Sequence, residues 1–436
     1  VSRSPRARRH RLTAATAAAC TAAALTAATA LWNHDGGAAG AQLTSTQETA
    51  TLSTWADIEQ PEEATAVEDD FFQPPDPLPA GEPGDIIRAE PADAFTDALR
   101  VGRFPADVWR VMYLSTDALG EPMAVTATVM APTAPWEGGG ERPLVAYAIG
   151  THGIGDHCAP SNGLEQGLEY EASLMERYVD DGYALVVTDY EGFGTPGDHT
   201  FMVGRSQGPA VLDSLRAATR LDEAGISPDA PMGVNGFSQG GGSAVWAAQL
   251  HPEYAPELPL VGVAAGAVPA DLHQVAEFLD GGTYFSLMSL AAIGLSSAYP
   301  ELPLEERMTD DGAELMDTLR DSCTVDAIPH GMFRTMDGIT TAELLNSPEW
   351  QARLAENLPG GTAPTVPLFM YHSALDDAIP MGQAEELRDT YCAAGANVQW
   401  RRTYSGSHVM SLFIDHDRAH DWMADRFAGE PTNSTC

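Results

Sequence analysis

Two serines in this chain sit in a G-x-S-x-G pattern, and that pattern can make a serine hydroxyl into a nucleophile. Gly236-Phe237-Ser238-Gln239-Gly240 lies inside GVNGFSQGGG, and Gly204-Arg205-Ser206-Gln207-Gly208 precedes it in the chain. The chemistry needs a sharp strand-to-helix turn. Glycines two residues either side of the serine remove side chains that would strike neighbouring elements, and the new helix offers free N–H groups beside an oxygen that becomes negative. Context separates the two matches. Ser238 follows a short apolar run at 232–237 and precedes SAVWAAQL, which reads as a helix. Ser206 follows the loop GTPGDH, with only the short run Phe201-Met202-Val203 before its motif, and precedes Pro209, which suits the first turn of a helix over 209–224. Ser206 therefore reads as a loop or helix-start residue, and Ser238 as the nucleophile.

A serine hydroxyl attacks only when a base takes its proton. In a strand–elbow–helix topology the acid and the histidine follow the serine in chain order. The apolar run TVPLFMY (365–371) leads into HSALDDAIP, where Asp376 and Asp377 both qualify as the orienting carboxylate. The D-x-x-I-P spacing favours Asp376, and Asp377 reads as a carboxylate at a helix start. The last strand-like run, 398–404, leads into Ser405-Gly406-Ser407-His408. His408 is the base expected, since its loop lets the imidazole reach back over the sheet edge. His372 lies too close to the acid in sequence and reads as structural. The oxyanion formed on attack needs two N–H donors. One is expected from Gln239, the other from the loop GTHG after the run 144–149, around Gly150 and Thr151.

Two other histidine groups have spacing that suggests a metal. His152, Asp156 and His157 read more simply as an oxyanion loop. His416 and His420, four apart among Asp415, Asp417 and Asp421, read as a solvated helix face. No cysteines form a C-x-x-C pair, so no metal or cofactor is expected.

These residues have to be positioned by a larger frame. Continuous apolar runs at 144–149, 183–188, 232–237, 258–268 and 365–371 have the signature of strands buried on both faces. Partly alternating runs at 108–115 and 123–130 precede them. Helical stretches at 164–181, 209–224, 239–251, 381–394 and 411–427 fall between, which argues for an α/β fold, a mainly parallel sheet covered by helices on both faces. Residues 269–360 break the rhythm. They are helical in pattern, with apolar clusters that look exposed (Phe285, Leu287, Met288, Leu290, Ile293, Leu295), and read as a helical cap or lid inserted between core segments 71–268 and 361–436.

The N-terminal region is different again. Five arginines open the chain, an uncharged Ala/Thr-rich stretch follows, and Ala39-Gly40-Ala41 fits a small-x-small cleavage site, so 1–41 reads as a secretory signal peptide. Residues 42–70 read as a disordered acidic tether. The whole chain has 436 residues and a net charge of −39, with no lysine. Such a surface repels nucleic acid and anionic membranes, so neither is an expected partner, and no stable membrane insertion is expected. Cys158, Cys323, Cys392 and Cys436 lie beyond the leader; an even number in an exported chain suggests two disulfides, with three pairings open.

The combination of FFQPPDPLPAGEPGDIIR (71–88), GTHG followed by CAPS, DYEGFGTPG with GRSQGPAVLDSLRAA, NGFSQGGG and HSALDDAIP resembles the secretory lipases of the Candida lipase A type in their actinobacterial branch. The likeness runs from residue 71 to Cys436. It implies an α/β-hydrolase core with a helical cap, a triad falling on Ser238, Asp376 and His408, and disulfides Cys158–Cys323 and Cys392–Cys436. It treats GRSQG as a shared non-catalytic segment. An Asp side chain that serves the family's oxyanion site falls on Thr151 here. The resulting expectation is a secreted, monomeric serine lipase or carboxylesterase that hydrolyses acylglycerols or related esters. The competing readings are an esterase for short acyl chains or polyesters, a serine peptidase, and an inactive binding protein.

Overall fold

The computed structural model describes residues 70–436; the readings of 1–41 as a leader and of 42–70 as a tether, all but Asp70, lie outside the described residues. Apolar runs become strands with no wet face. Every residue of β4 (Leu144–Ala148), β5 (Ala184–Tyr190), β6 (Met232–Phe237) and β8 (Leu368–Ser373) is buried, and all but one of β7 (Leu260–Gly266). They join β2 (Ala106–Thr116), β3 (Pro122–Pro132), β9 (Val398–Thr403) and a first strand, β1 (Ile86–Pro91), in one nine-stranded sheet of order β1-β2-β3-β5-β4-β6-β7-β8-β9. The β1, β2, β3 and β5 pairings are antiparallel, and every pairing from β5–β4 through β8–β9 is parallel. β1 was not expected: IIRAEP is short, carries charges and ends in proline, and only its pairing with β2 makes it a strand.

Helices cover the sheet. The single helix expected over 164–181 is two, α1 (Pro160–Gln166) and α2 (Ala172–Asp180). The break is at Gly167, with φ of 72° and a backbone so close that an added Cβ would sit 2.0 Å from the Asp97 carbonyl oxygen. α3 (Gly204–Arg220) starts five residues before Pro209, so the proline is interior and not in the first turn. Its missing N–H removes one helix hydrogen bond. α4 (Gln239–Tyr254) leaves β6 directly.

Between β7 and β8 the chain departs from the sheet into α5 (Leu272–Leu279), α6 (Phe285–Ala298), α7 (Asp310–Arg320), α8 (Thr324–Gly331), α9 (Met336–Ile339) and α10 (Pro348–Glu356). The apolar clusters that look exposed in sequence are largely interior: Phe285, Leu290, Ile293 and Leu295 pack with Leu319 and Trp350 in a second core, joined by Phe201, Val203 and Ile379 from loops at the sheet edge. Sheet and insertion thus have separate hydrophobic cores. α11 (Met381–Ala393) and α12 (His408–Phe427) complete the chain. Disulfides link Cys158 to Cys323, just ahead of α8, and Cys392 to Cys436. No described helix is long and apolar enough to cross a membrane.

The solvated face expected around His416 and His420 is corrected. Both imidazoles are buried, 2% exposed, against Tyr178 of α2. Their four-residue spacing marks the inward stripe of α12. Asp417 and Asp421 face outward and pair with Arg177, while buried Asp415 accepts from Thr403 at 2.8 Å. His416 donates from Nε2 to the Leu174 carbonyl at 3.1 Å, and burial pulls its pKa down to about 4. A neutral imidazole favoured by the fold stabilises it fully above the unfolded value of about 6.5, and that contribution is lost as pH falls through about 4. Other buried groups titrate in the opposite sense, so the comparison needs a variant. From pH 6.5 to 5, the wild type should lose about 2 kcal/mol relative to His416→Gln, which donates without titrating. Urea midpoints that run parallel for the two proteins across this range would contradict it.

Candidate active site

The parallel half of the sheet sets the geometry. Thr151 follows β4, Ser238 follows β6, Asp376 follows β8 and His408 follows β9, so all four leave the carboxyl ends of parallel strands. Neighbouring strands are about 4.8 Å apart. Residues just past their ends therefore lie within reach of one another, the usual place for a site in an open α/β sheet.

Ser238 adopts φ 59° and ψ −120°, a region costly for a residue with a Cβ. Its N–H still bonds to the Gly266 carbonyl of β7 at 3.0 Å, and its carbonyl accepts the Gly242 N–H at 2.9 Å. The backbone is therefore held from both sides at the strained turn. Both flanking glycines are sterically required. A Cβ on Gly236 would lie 2.2 Å from the Gly240 oxygen, and one on Gly240 1.9 Å from the Ala148 oxygen.

His408 Nε2 is 2.9 Å from Ser238 Oγ, and Nδ1 is 2.8 Å from Asp376 Oδ2. A carboxylate only accepts, so it fixes the proton on Nδ1 and leaves the Nε2 lone pair facing the serine O–H. Asp376 is itself held: its Oδ1 accepts the N–H groups of Ala378 at 3.0 Å and Ile379 at 2.8 Å. Burial alone would raise this carboxyl. Hydrogen bonds and charge from His372 and His408 outweigh it and hold the group well below the usual carboxylate range. His372, which reads as structural in the sequence, lies against this acid, with Nε2 3.0 Å from the Ile379 carbonyl and 3.4 Å from Asp376. Asp377 does different work, accepting the backbone N–H of His408 at 2.9 Å.

Gln239 opens α4, where an N–H has no acceptor within the helix. Its side chain is pinned: Nε2 lies 2.9 Å from His199 Nε2, and His199 Nδ1 lies 2.7 Å from the Glu191 carbonyl. Burial drives the His199 pKa down to about 3, which keeps it neutral and its Nε2 an acceptor. In the other loop, the Gly150 N–H is committed to Glu171 Oε1 at 2.9 Å. Thr151 lines the same cavity as Ser238.

That cavity runs from Ser238 and Thr151 into the insertion, walled by groups such as Leu279, Met288, Leu295, Met316 and Trp350. It is almost wholly apolar. An activated hydroxyl at the mouth of an apolar cavity suits acyl transfer from a water-insoluble group.

The remaining sequence candidates do not converge. Ser206 is buried in the first turn of α3, with Oγ donating to Glu191 at 2.5 Å and 3.1 Å from Thr200 Oγ1. His152 pairs with Glu169, Asp156 accepts from the Gly194 N–H, and exposed His157 lies beside Asp321. His157 does lie close to the Cys158 and Cys323 sulfurs, but these are joined in a disulfide and cannot act as thiolate ligands. Sequence reasoning passed over the buried carboxyls Glu169 and Glu171. Their only local signal was the alternation of acids with apolar residues in LEYEA (168–172).

This sheet and its elbow are those of an α/β-hydrolase. The family described as "Secretory lipase" matches residues 159–435, and the chain belongs to it, which places it among ester hydrolases. It is similar to a Mycobacterium tuberculosis protein described as "Probable inactive lipase", 29% identical over 381 residues that make up 84% of this chain and 83% of the relative. It is also similar to Lipase 6 of Candida albicans, 28% identical over 395 residues, 85% and 83% of the two chains. The solved structure of Candida antarctica lipase A has the same fold, with a TM-score of 0.74 at 24% identity over 85% of this chain and 88% of that one.

The contact of Gly240 with the end of β4 gives a direct test. Gly240→Ala should force β4 and α4 apart, destabilising the protein by about 3 kcal/mol or more, the upper range for overpacking. A melting temperature within a degree or two of wild type would show that the elbow relaxes more easily than its contacts indicate.

Proposed function

We propose that this protein is an exported serine lipase that hydrolyses acylglycerols through an acyl-enzyme. The observation that carries the reading is the His408 imidazole bridging Ser238 and Asp376 at the mouth of an apolar cavity. Ser238 Oγ attacks the ester carbonyl while His408 Nε2 takes its proton. The negative oxygen of the tetrahedral intermediate is held by the N–H groups of Gln239 and Thr151. The intermediate collapses, His408 returns the proton to the leaving alcohol, and the acyl group stays on Ser238. Water, deprotonated by His408, repeats the sequence and frees the acid. Asp376 keeps the imidazole in the right tautomer and stabilises its charged form; the Asp377 carboxylate positions it through the main chain.

The insertion at 269–360 acts as an acyl-binding cap, since its helices supply most of the cavity wall. Export is supported by the basic, then uncharged N-terminal residues and by the two disulfides. The description of the mycobacterial relative as inactive raises the reading of a binding protein. The complete Ser–His–Asp hydrogen-bond chain favours catalysis here.

A fluorophosphonate probe should label Ser238 and leave Ser206 untouched on peptide mapping; label on Ser206, or on neither, overturns the assignment. Asp376→Asn should lower kcat about 10⁴-fold by favouring the wrong tautomer. Asp377→Asn, which still accepts the His408 N–H, should cost less than about tenfold, and equal losses would reverse the roles. Rates on p-nitrophenyl esters from acetate to palmitate, alongside emulsified triglyceride, decide the substrate class. Activity should rise with chain length, and a strict preference for acetate without triglyceride hydrolysis would establish the short-chain esterase instead.

A further inference from the structure

Three ionisable side chains are buried beneath the loop that follows β4. Glu169 and Glu171 are 5% and 0% exposed, and the His152 side chain is 10% exposed. None of them lines the cavity that Ser238 and Thr151 share. Burying such groups is expensive unless each is paired, and their pairings converge on one dipeptide. Glu171 Oε1 accepts the Gly150 N–H at 2.9 Å, while its Oε2 accepts the Tyr147 hydroxyl at 2.7 Å. His152 Nδ1 lies 3.0 Å from the Gly150 carbonyl oxygen, and its Nε2 lies 2.7 Å from Glu169 Oε2. The Thr151 carbonyl accepts from Tyr170 at 3.2 Å and from Thr324 at 2.9 Å. Of the four main-chain polar groups of Gly150 and Thr151, three have side-chain partners. The fourth, the Thr151 N–H, has none among the described residues.

Peptide geometry links these facts. The Gly150 carbonyl and the Thr151 N–H belong to one planar trans unit and point in opposite directions. A hydrogen bond that holds the carbonyl therefore aims the N–H the other way. We propose that His152, held by Glu169, is a positioning residue that fixes the Gly150–Thr151 peptide plane and so directs the Thr151 N–H at the developing oxyanion. This rests on the reading of Ser238 as the nucleophile and of Thr151 as the second oxyanion donor.

The hydrogen-bond chemistry specifies the state of His152. Both of its partners, a carbonyl and a carboxylate, only accept, so both ring nitrogens must donate and the ring must be an imidazolium. Burial opposes that charge, but Glu169, the Gly150 carbonyl and Glu171 together outweigh it and the pKa rises to about 9. The groups facing the ring are Glu169, Tyr170 stacked at 4.8 Å, and Glu171, with weaker electrostatic coupling to Asp189 and His199. With the pKa raised to about 9, the doubly donating form predominates in the folded protein below that pH and is lost as pH rises through about 9.

The test compares two near-isosteric variants on a soluble p-nitrophenyl ester. His152→Leu should lower kcat about 10²-fold, the low end for losing one oxyanion donor, with KM within about threefold. Affinity for an alkylboronic acid, whose tetrahedral adduct carries the oxyanion, should fall by a similar factor. His152→Asn keeps a donor near the Nδ1 position and should recover kcat to within about tenfold of wild type. The wild type should lose kcat above about pH 9 with its near-ultraviolet circular dichroism unchanged, and the Asn variant should not. This readout holds even if the Leu variant does not fold. Unchanged kcat in His152→Leu, a loss confined to KM, no recovery with Asn, or a flat wild-type profile to pH 10 would each overturn the positioning role. A wild-type protein that neither hydrolyses esters nor takes up fluorophosphonate at Ser238 would instead overturn the underlying reading.

Discussion

The structure depends on how closely the first turn of α4 approaches the end of β4. At Gly240 there is no room for even a methyl group against the Ala148 oxygen. That contact puts the elbow and the loop after β4 side by side. It also explains the strained backbone at Ser238, which a looser approach would let relax. The strain is maintained because the sheet and the helix each hold one end of the turn, through Gly266 and Gly242.

The polar groups behind the site follow a common logic. Each residue of the proposed site has a polar partner holding it from behind. Asp376 and the Asp377 contact hold His408, His199 holds Gln239, and Glu171 with His152 holds the Gly150–Thr151 peptide. Two histidines near the elbow and the loop after β4 are shifted in opposite directions. His199 is kept neutral by burial beside an amide, and His152 is kept charged by a carboxylate. Burial lowers both imidazoles, and only His152 has a carboxylate to outweigh it.

Much of this was legible in sequence because it depends on patterns of short range. Continuous apolar runs marked the buried strands, and the glycine spacing around Ser238 marked the elbow. The order of Ser238, Asp376 and His408 along the chain matched the order in which parallel strands deliver them to one edge. What could not be read depends on tertiary partners. β1 is a strand only because β2 pairs with it. The charges flanking His416 suggested water, but one face of α12 is wet and the other packs on Tyr178. Glu169 and Glu171 look like ordinary surface acids until the loop that carries them folds under Gly150. Pro209 misled because the rule that places proline in a first turn is a preference, which tertiary packing of α3 overrides.

The separate core of the insertion has a consequence for how such a protein can change. Side chains such as Met316 and Trp350 wall the cavity while packing among insertion residues, away from the sheet core beneath Ser238. Reshaping the cavity therefore perturbs one hydrophobic cluster and leaves the other's packing intact. Variation in what the cavity accommodates can accumulate, or be engineered, in a module whose packing is largely separate from the sheet core. The disulfide between Cys158 and Cys323 limits that independence, since it adds a covalent link, besides the two chain connections, between the adaptable part and the rest.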